Sequence, residues 1–458
     1  MKKIVFIFCL IASFLVGNAQ PAQNSGTPEQ RAQRVLDGQS FVSLNLTADQ
    51  KTKAIVILAD LNRSLDALNA TIPQNATDRQ VLLTALQPKR MALMNDAEKQ
   101  FIEVLVASQK ASYATIARNR PANQGFGQQA GGRAPIPIGT MTTNPDAHDP
   151  VMAKEGDTYY LFYTNGGVSQ WSSKDMVNWR REAPVFTTTP AWVPEAVPGF
   201  RGVGFWAPDI ILHKGMWHLY YSASAFGKNT SAIGLTINKT LNPASPDYKW
   251  VDQGMVVKSV PGRDLWNAID PNIAFDEKGT PWMSFGSFWN GIKLFKLSED
   301  MKTIAQPEEW YTIAARQRDF TKVADGNAGG ASAAVEGPFI FKKDNYYYLF
   351  ISWDRCCAGL QSTYNIRVGR SEKITGPYLD KEGVDLAKGG GTLVLGGDVT
   401  EPKTVFALGH NSAYTFDGTD YLVFHKYVQE GSRLGIEKLG WVDGWPVIVA
   451  KSAGAGVK

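Results

Sequence analysis

Two hydrophobic periodicities follow one another along the chain, and they change over near residue 139. From Thr27 to about Arg120, apolar residues return at alternate threes and fours, as in Leu58, Leu61, Leu65, Leu68 and Ile72, which draws one apolar stripe along a helix. Thr47-Ala48-Asp49-Gln50 and Thr77-Asp78-Arg79-Gln80 have the Thr-x-x-Gln form in which two side chains satisfy each other's free backbone N–H groups, so they predict two helix starts. A third helix is predicted from about Lys89 to Ala117, with Met94, Ala97, Phe101, Val104 and Leu105 on its apolar face. Together these make a small all-α bundle over residues 27–120, an accessory unit without an assigned role. Pro121 to Ile138 is rich in Gly, Pro, Gln and Asn without any period, the composition of a linker.

From residue 139 to 458 short aromatic strands take over: Tyr159-Tyr160-Leu161-Phe162, Trp217-His218-Leu219-Tyr220-Tyr221, Trp282-Met283-Ser284-Phe285, Tyr346-Tyr347-Tyr348-Leu349-Phe350 and Tyr421-Leu422-Val423-Phe424. Phe162, Tyr220, Phe285, Phe350 and Phe424 follow one another at steps of 58, 65, 65 and 74 residues. Repeats of about this length, each with several short strands between Gly, Asn and Asp turns, indicate propeller blades. The fold class predicted is an all-β five-bladed β-propeller preceded by the helical bundle. Ahead of each strand stands a residue able to do chemistry: Asp149, Asp209, Asp270, Glu336 and His410, at 13, 11, 15, 14 and 14 positions before the reference aromatic. In a propeller, equivalent positions at the starts of the innermost strands face a common hollow, so four carboxyl groups and one imidazole are expected to converge.

Residues 1–19 read as a secretory signal, with Lys2 and Lys3, an apolar run from Ile4 to Val16, and Gly17-Asn18-Ala19 before the expected cleavage. The expectation is an exported protein, periplasmic or extracellular. No later run reaches the roughly 18 apolar residues of a membrane span. Lysine plus arginine (47) barely exceeds aspartate plus glutamate (43) in the 458-residue chain, so there is no basic footprint for nucleic acid or anionic lipid, and neutral partners fit better. Aromatic residues make up 11%; they serve strand packing first and offer flat faces for sugar rings second. Past the signal only Cys356 and Cys357 remain, which excludes a disulfide framework and a cysteine-rich zinc site. They read as two small buried hydrophobes at a strand end, with a vicinal disulfide shaping a loop beside the site as the alternative.

A lone Asp before Pro, as at Asp149 and Asp270, is ordinarily a turn. Recurrence shifts the balance, because several acids brought together suffer desolvation and mutual repulsion, and the raised pKa that results is useful to chemistry. Glycosidic bond cleavage needs one carboxylic acid to protonate the leaving oxygen and one carboxylate to activate water or attack the sugar. Gly-x-Ser-x-Gly, a phosphate loop and a dinucleotide fingerprint do not occur.

His148-Asp149-Pro150, Trp206-Ala207-Pro208-Asp209, Asn267-Ala268-Ile269-Asp270-Pro271, Ser287-Phe288-Trp289, Val335-Glu336-Gly337-Pro338, Cys356-Cys357 through Ser362-Thr363-Tyr364, and Gly409-His410-Asn411-Ser412 resemble glycoside hydrolase family 43. Within that family the resemblance is to endo-α-1,5-L-arabinanases, over roughly residues 140–450. It implies an inverting mechanism with Asp149 as general base, Glu336 as general acid, and Asp270 tuning the acid and orienting it and the substrate. Sugar contacts are implied for His148, Asp149, Trp206, Asp209 and Gly234. They are implied as well for Asn267, Ala268, Ile269, Asp270, Ser287, Phe288 and Trp289. His410 is implied to hold a metal, calcium, near the axis.

Inversion calls for a base and an acid roughly 6.5–9.5 Å apart, a width that a propeller hollow provides. Trp206 and Trp289 are stacking platforms on this reading and core residues on the plainer one. Calcium prefers oxygen ligands, so an ion at His410 would fill its shell with water; a hydrogen-bonded histidine without metal is the alternative. The expected activity is cleavage of internal bonds in arabinan of pectin side chains. The competing readings are an exo-acting α-L-arabinofuranosidase or β-xylosidase, and a propeller that binds glycan without cutting it; retention of all three carboxyl groups counts against the last.

Overall fold

The computed structural model describes residues 26–37, 44–71, 86–118, 136–316, 334–400 and 402–449. The predicted signal, most of the predicted linker and the helix start at Thr77 lie outside the described residues. The chain divides into two compact units, residues 1–123 and 124–458.

In the first unit the described helices are α1 (Pro28–Leu36), α2 (Ala48–Ala70), α3 (Gln87–Val104) and α4 (Ala107–Arg118). Thr47 opens α2 with both bonds of the reciprocal cap, as its sequence predicts. Thr27-Pro28-Glu29-Gln30 opens α1 the same way, a start that the apolar spacing does not reveal because α1 is only nine residues long. The single long helix expected from Lys89 to Ala117 is two helices. Leu105 takes an extended conformation between them, and Gln50 closes the gap by donating to the Val104 carbonyl at 2.9 Å and to Gln109 at 2.7 Å. Leu58, Leu61, Leu65, Met94, Ala97, Phe101 and Leu105 bury together with Ala32, Val35, Leu36 and Tyr113.

The second unit is five antiparallel sheets whose strands run in chain order from the inside out, a five-bladed propeller. The innermost strands are Val151–Glu155, Trp206–His213, Asn272–Phe275, Val335–Lys343 and Ala407–Phe416. A two-residue strand, Met141–Thr142, is added to the outer edge of blade 1. Hairpins such as the one at Asp417-Gly418, with φ of +51° and +76°, use the left-handed two-residue turn whose twist matches the strands.

The second strand of each blade is sandwiched between neighbouring blades, which is why its aromatic run is apolar throughout instead of alternating. Period two still sorts the side chains. Phe162 packs towards blade 2 with Ile210 and Leu219, while Leu161 and Tyr163 pack towards blade 5 with Val423. Three further wedges fill the remaining gaps, and each fully buried Leu or Phe contributes about 1.5–3 kcal/mol.

Strand pairing revises the equivalences drawn from sequence. Trp206 faces Ser222, Glu336 faces Ser352 and Gly409 faces His425, while the His148 carbonyl receives Thr164 N–H and the Ile269 carbonyl receives Gly286 N–H. One residue further on, every blade has a left-handed residue: Asp149 (+50°), Ala207 (+40°), Asp270 (+59°), Gly337 (+57°) and His410 (+46°). Asp149, Asp270 and His410 are therefore equivalent, as expected. Glu336 stands one position earlier, in the place of His148, and Asp209 two positions later, in the place of Val151. The left-handed residues Asp149, Ala207 and Gly337 each stand 13 positions before Phe162, Tyr220 and Phe350, so Glu336 at 14 and Asp209 at 11 are off the shared position.

Candidate active site

The left-handed residues are joined in a ring of inter-blade hydrogen bonds. Ala207 N–H donates to Thr164 Oγ1 at 2.7 Å, Asp270 N–H to Ser222 Oγ at 3.1 Å, His410 N–H to Ser352 Oγ at 2.7 Å, and Asp149 N–H to His425 Nδ1 at 3.1 Å. Blade 3 has Gly286 where the others carry a side chain, and Asp270 Oδ2 takes over by accepting Gly337 N–H at 3.2 Å. Asp149, Asp270 and Glu336 are thereby brought to one end of the axis, each less than a tenth exposed.

Their surroundings differ. Asp149 Oδ1 lies 2.9 Å from His148 Nδ1, 3.1 Å from His410 Nδ1 and 3.6 Å from His425 Nδ1, and Oδ2 accepts the Thr164 hydroxyl at 2.6 Å. Burial pushes the Asp149 carboxyl up, but the imidazoles, led by His148, outweigh it and hold the group well below the usual carboxylate range. His148 responds in kind: burial pushes it down, and Asp149 overcomes this and raises it. His425 is fully buried, accepts at Nδ1 and is pushed far down by burial, so it stays neutral. Glu336 feels only the weaker pull of His148. Burial pushes its pKa up, against the pull of the Ser287 hydroxyl, which donates to Oε2 at 2.6 Å. Asp270 is pushed up by burial, then by the charges of Glu336 and Asp149. Its bond to Gly337 N–H ties it to the residue beside Glu336.

One carboxyl group held well below its usual range and another pushed above it are the pair of environments that glycosidic hydrolysis requires. The model of the glycosyl hydrolases family 43 matches residues 140–446. The chain belongs to this family. Similar proteins include the extracellular exo-α-(1→5)-L-arabinofuranosidase of Cellvibrio japonicus, 55% identical over 67% of this chain and 87% of that protein. The extracellular endo-α-(1→5)-L-arabinanase 1 of Bacillus subtilis is 40% identical over 66% of this chain and 88% of its own length. Among solved structures, Cellvibrio cellulosa α-L-arabinanase complexed with arabinohexaose has a TM-score of 0.64 at 54% identity, covering 67% of this chain and 96% of that one.

In this glycoside hydrolase the Gly286–Gly291 turn reaches the acid. Phe288 and Trp289 both have positive φ, +58° and +35°, unusual for bulky residues and held here by bonds from Phe288 N–H to the Val335 carbonyl and from Gly291 N–H to the Phe288 carbonyl. Val335 precedes Glu336, so the turn that positions Ser287 is stapled to the strand that carries the acid. Trp289 is buried, which favours core over platform. Trp206 is partly exposed and meets the half-exposed Phe226 edge to face at 6.5 Å, a pair able to receive a sugar face. Asn267, Ala268 and Ile269 are buried next to Asp270; Asn267 Oδ1 and Trp289 Nε1 have no protein partner among the described residues, and a polyhydroxylated ligand could satisfy such atoms.

Asp209 and Gly234 are spent on packing. Asp209 Oδ2 accepts Ile273 N–H at 2.7 Å and the Asn272 amide at 3.3 Å, across the blade interface, and burial pushes its pKa up to about 7. Gly234 lies beneath Trp192 and Tyr221, where any Cβ would meet their rings within 3 Å.

Cys356 and Cys357 form a disulfide and are only half-buried, so the reading as two plain buried hydrophobes gives way to the vicinal bridge. The Tyr427 hydroxyl accepts Cys357 N–H at 2.9 Å and lies 3.1 Å from His148 Nε2, and Cys357 Sγ itself lies 3.8 Å from His148 Nε2, so the bridge borders the site directly and through Tyr427. Sequence reading missed Thr164, Ser222, Ser352, His425 and Tyr427. The first three were detectable as small hydroxyl residues two places after Phe162, Tyr220 and Phe350.

His410 fits a water-rich ion site in one respect. Burial keeps its ring neutral, and with Nδ1 facing Asp149 the proton sits there, leaving Nε2 as a lone-pair donor. A carboxylate orienting the far nitrogen of an imidazole is the usual support of a metal-bound histidine.

Proposed function

We propose that this chain is an inverting hydrolase of the α-1,5-L-arabinofuranosyl bonds of arabinan, acting outside the cytoplasm. The observation that carries the mechanism is the opposed environment of two carboxyl groups, Asp149 held ionised among imidazoles and Glu336 pushed towards its protonated form. Asp149 takes a proton from water as the water attacks the anomeric carbon, and Glu336 gives its proton to the departing glycosidic oxygen. Asp270, hydrogen-bonded beside Glu336, orients the acid, and the charge of Asp149 adds to the repulsion that disfavours ionisation of Glu336. His148 and the Trp206–Phe226 pair border the sugar. His410 Nε2 would hold a calcium ion whose other ligands are water, supplying positive charge against the three carboxyl groups. Metal analysis of protein dialysed against calcium-free buffer tests this part, and no calcium near one equivalent would remove it.

Attack from chain ends is the mode favoured, because the exo-acting Cellvibrio relative shares 55% identity against 40% for the endo-acting Bacillus one. Cleavage of internal bonds, the mode implied by the motif resemblance, is the second reading. Viscosity and product sizes on linear arabinan separate them. Short products with slowly falling viscosity support the exo mode; early viscosity loss with a ladder of oligomers overturns it; no sugar released by folded protein overturns the enzyme itself.

The pH profile has a defined sign. Only protonated Glu336 is productive, so kcat/KM falls on the alkaline side as Glu336 ionises. Ser287 donates to the ionised form and holds this pKa down. Ser287→Ala is therefore expected to move the alkaline limb to higher pH, and a limb that stays put or moves lower would separate it from Glu336.

A further inference from the structure

We infer that Thr164 is a positioning residue for Asp149, fixing the orientation of its carboxylate through a hydroxyl whose polarity the backbone dictates. Thr164 Oγ1 lies 2.7 Å from Ala207 N–H and 2.6 Å from Asp149 Oδ2. An amide N–H can only donate, so the hydroxyl oxygen accepts there and its single proton goes to the carboxylate. The two oxygens of Asp149 are then held differently: Oδ2 by Thr164, Oδ1 by His148 and His410. Rotation about the Cβ–Cγ bond would break both sets of contacts.

The other blades show that ring closure alone does not produce this. Ser222 and Ser352 accept the same inter-blade N–H, but the left-handed residues of their own blades are Ala207 and Gly337, which offer no acceptor for the spare proton. Blade 3 has the carboxylate, Asp270, without a hydroxyl, and blade 5 has His410 beside His425. Among these ring positions, blade 1 alone sets a hydroxyl against the carboxylate of its own left-handed residue. The residue there is threonine, whose branched Cβ restricts χ1 more than serine would, and a base held to one orientation loses less when the water must be aligned.

Thr164 acts this way only if Asp149 is the base proposed above. Four variants, Thr164→Val, Thr164→Ser, Ser352→Ala and Asp149→Asn, are compared by kcat, KM and thermal midpoint on linear arabinan. Thr164→Val is expected to lower kcat about 10- to 100-fold, the scale of a hydrogen bond to a charged group, with KM within about twofold. Thr164→Ser keeps kcat within about fivefold, and Ser352→Ala, which loses the ring bond to His410 N–H instead of a bond to the base, lowers the midpoint and costs several-fold less kcat than Thr164→Val. Equal kcat losses in Thr164→Val and Ser352→Ala, or a loss confined to KM, would overturn the assignment in favour of ring closure or substrate contact. Wild-type kcat in Thr164→Val with an inactive Asp149→Asn overturns it while sparing the base; an active Asp149→Asn removes the base and Thr164 with it.

Discussion

Glu336→Gln is expected to slow hydrolysis of linear arabinan by about 10²–10⁴-fold, the usual contribution of a positioned general acid. Glutamine keeps the length of the side chain and still offers Ser287 a carbonyl oxygen, so the 2.6 Å bond at this site has a substitute and the fold should hold. The loss should depend on the leaving group. An arabinofuranoside of an acidic phenol departs without a proton, and on it the variant should recover most of the wild-type rate. kcat/KM on both substrates, with a melting curve for each protein, is the measurement. Equal losses on the two substrates would take Glu336 out of the acid role.

Asp149→Asn is expected to cost a comparable or larger factor, at least about 10³-fold, and here a better leaving group should bring no recovery, because the missing step is activation of water. The substitution also removes the anion that raises the His148 pKa against its burial. A buried imidazole can release its proton instead of remaining an unpaired cation, so a lowered melting temperature with a native fold is anticipated. If aryl arabinofuranoside hydrolysis returns to near normal in Asp149→Asn, Asp149 is not the base.

The two variants distinguish roles that the sequence assigns only through family resemblance. Asp149, Asp270 and His410 were legible as equivalents because each fills a left-handed position, which aspartate and histidine tolerate better than most residues, and because the count to the next aromatic strand is nearly constant. Glu336 and Asp209 look like members of the same set, yet the strand pairing puts one of them a residue early and the other two residues late. In Asp209 that displacement decides the role. Its carboxylate serves Ile273 and Asn272 in the next blade. The halves of the disulfide were visible as adjacent cysteines, but their contact with His148, direct from Cys357 Sγ and through Tyr427, joins residues 209 and 279 apart in sequence.

What the amino-acid order determined by itself is whatever depends on near neighbours: the helix caps at Thr47, the five aromatic strands, the hairpins at Asp-Gly, and the presence of one acid or imidazole near each blade's start. Those features follow from backbone preferences and from side-chain periods of 3.6 and 2, which act within a few residues. Only the closed propeller decided which oxygen of Asp149 meets which partner, that Asp270 would stand in for a side chain missing at Gly286, and that His425 would accept the Asp149 N–H across 276 residues. Closing the ring sets register between strands that share no local signal, and within a blade a bulge moves a side chain to another position with little change in the local pattern.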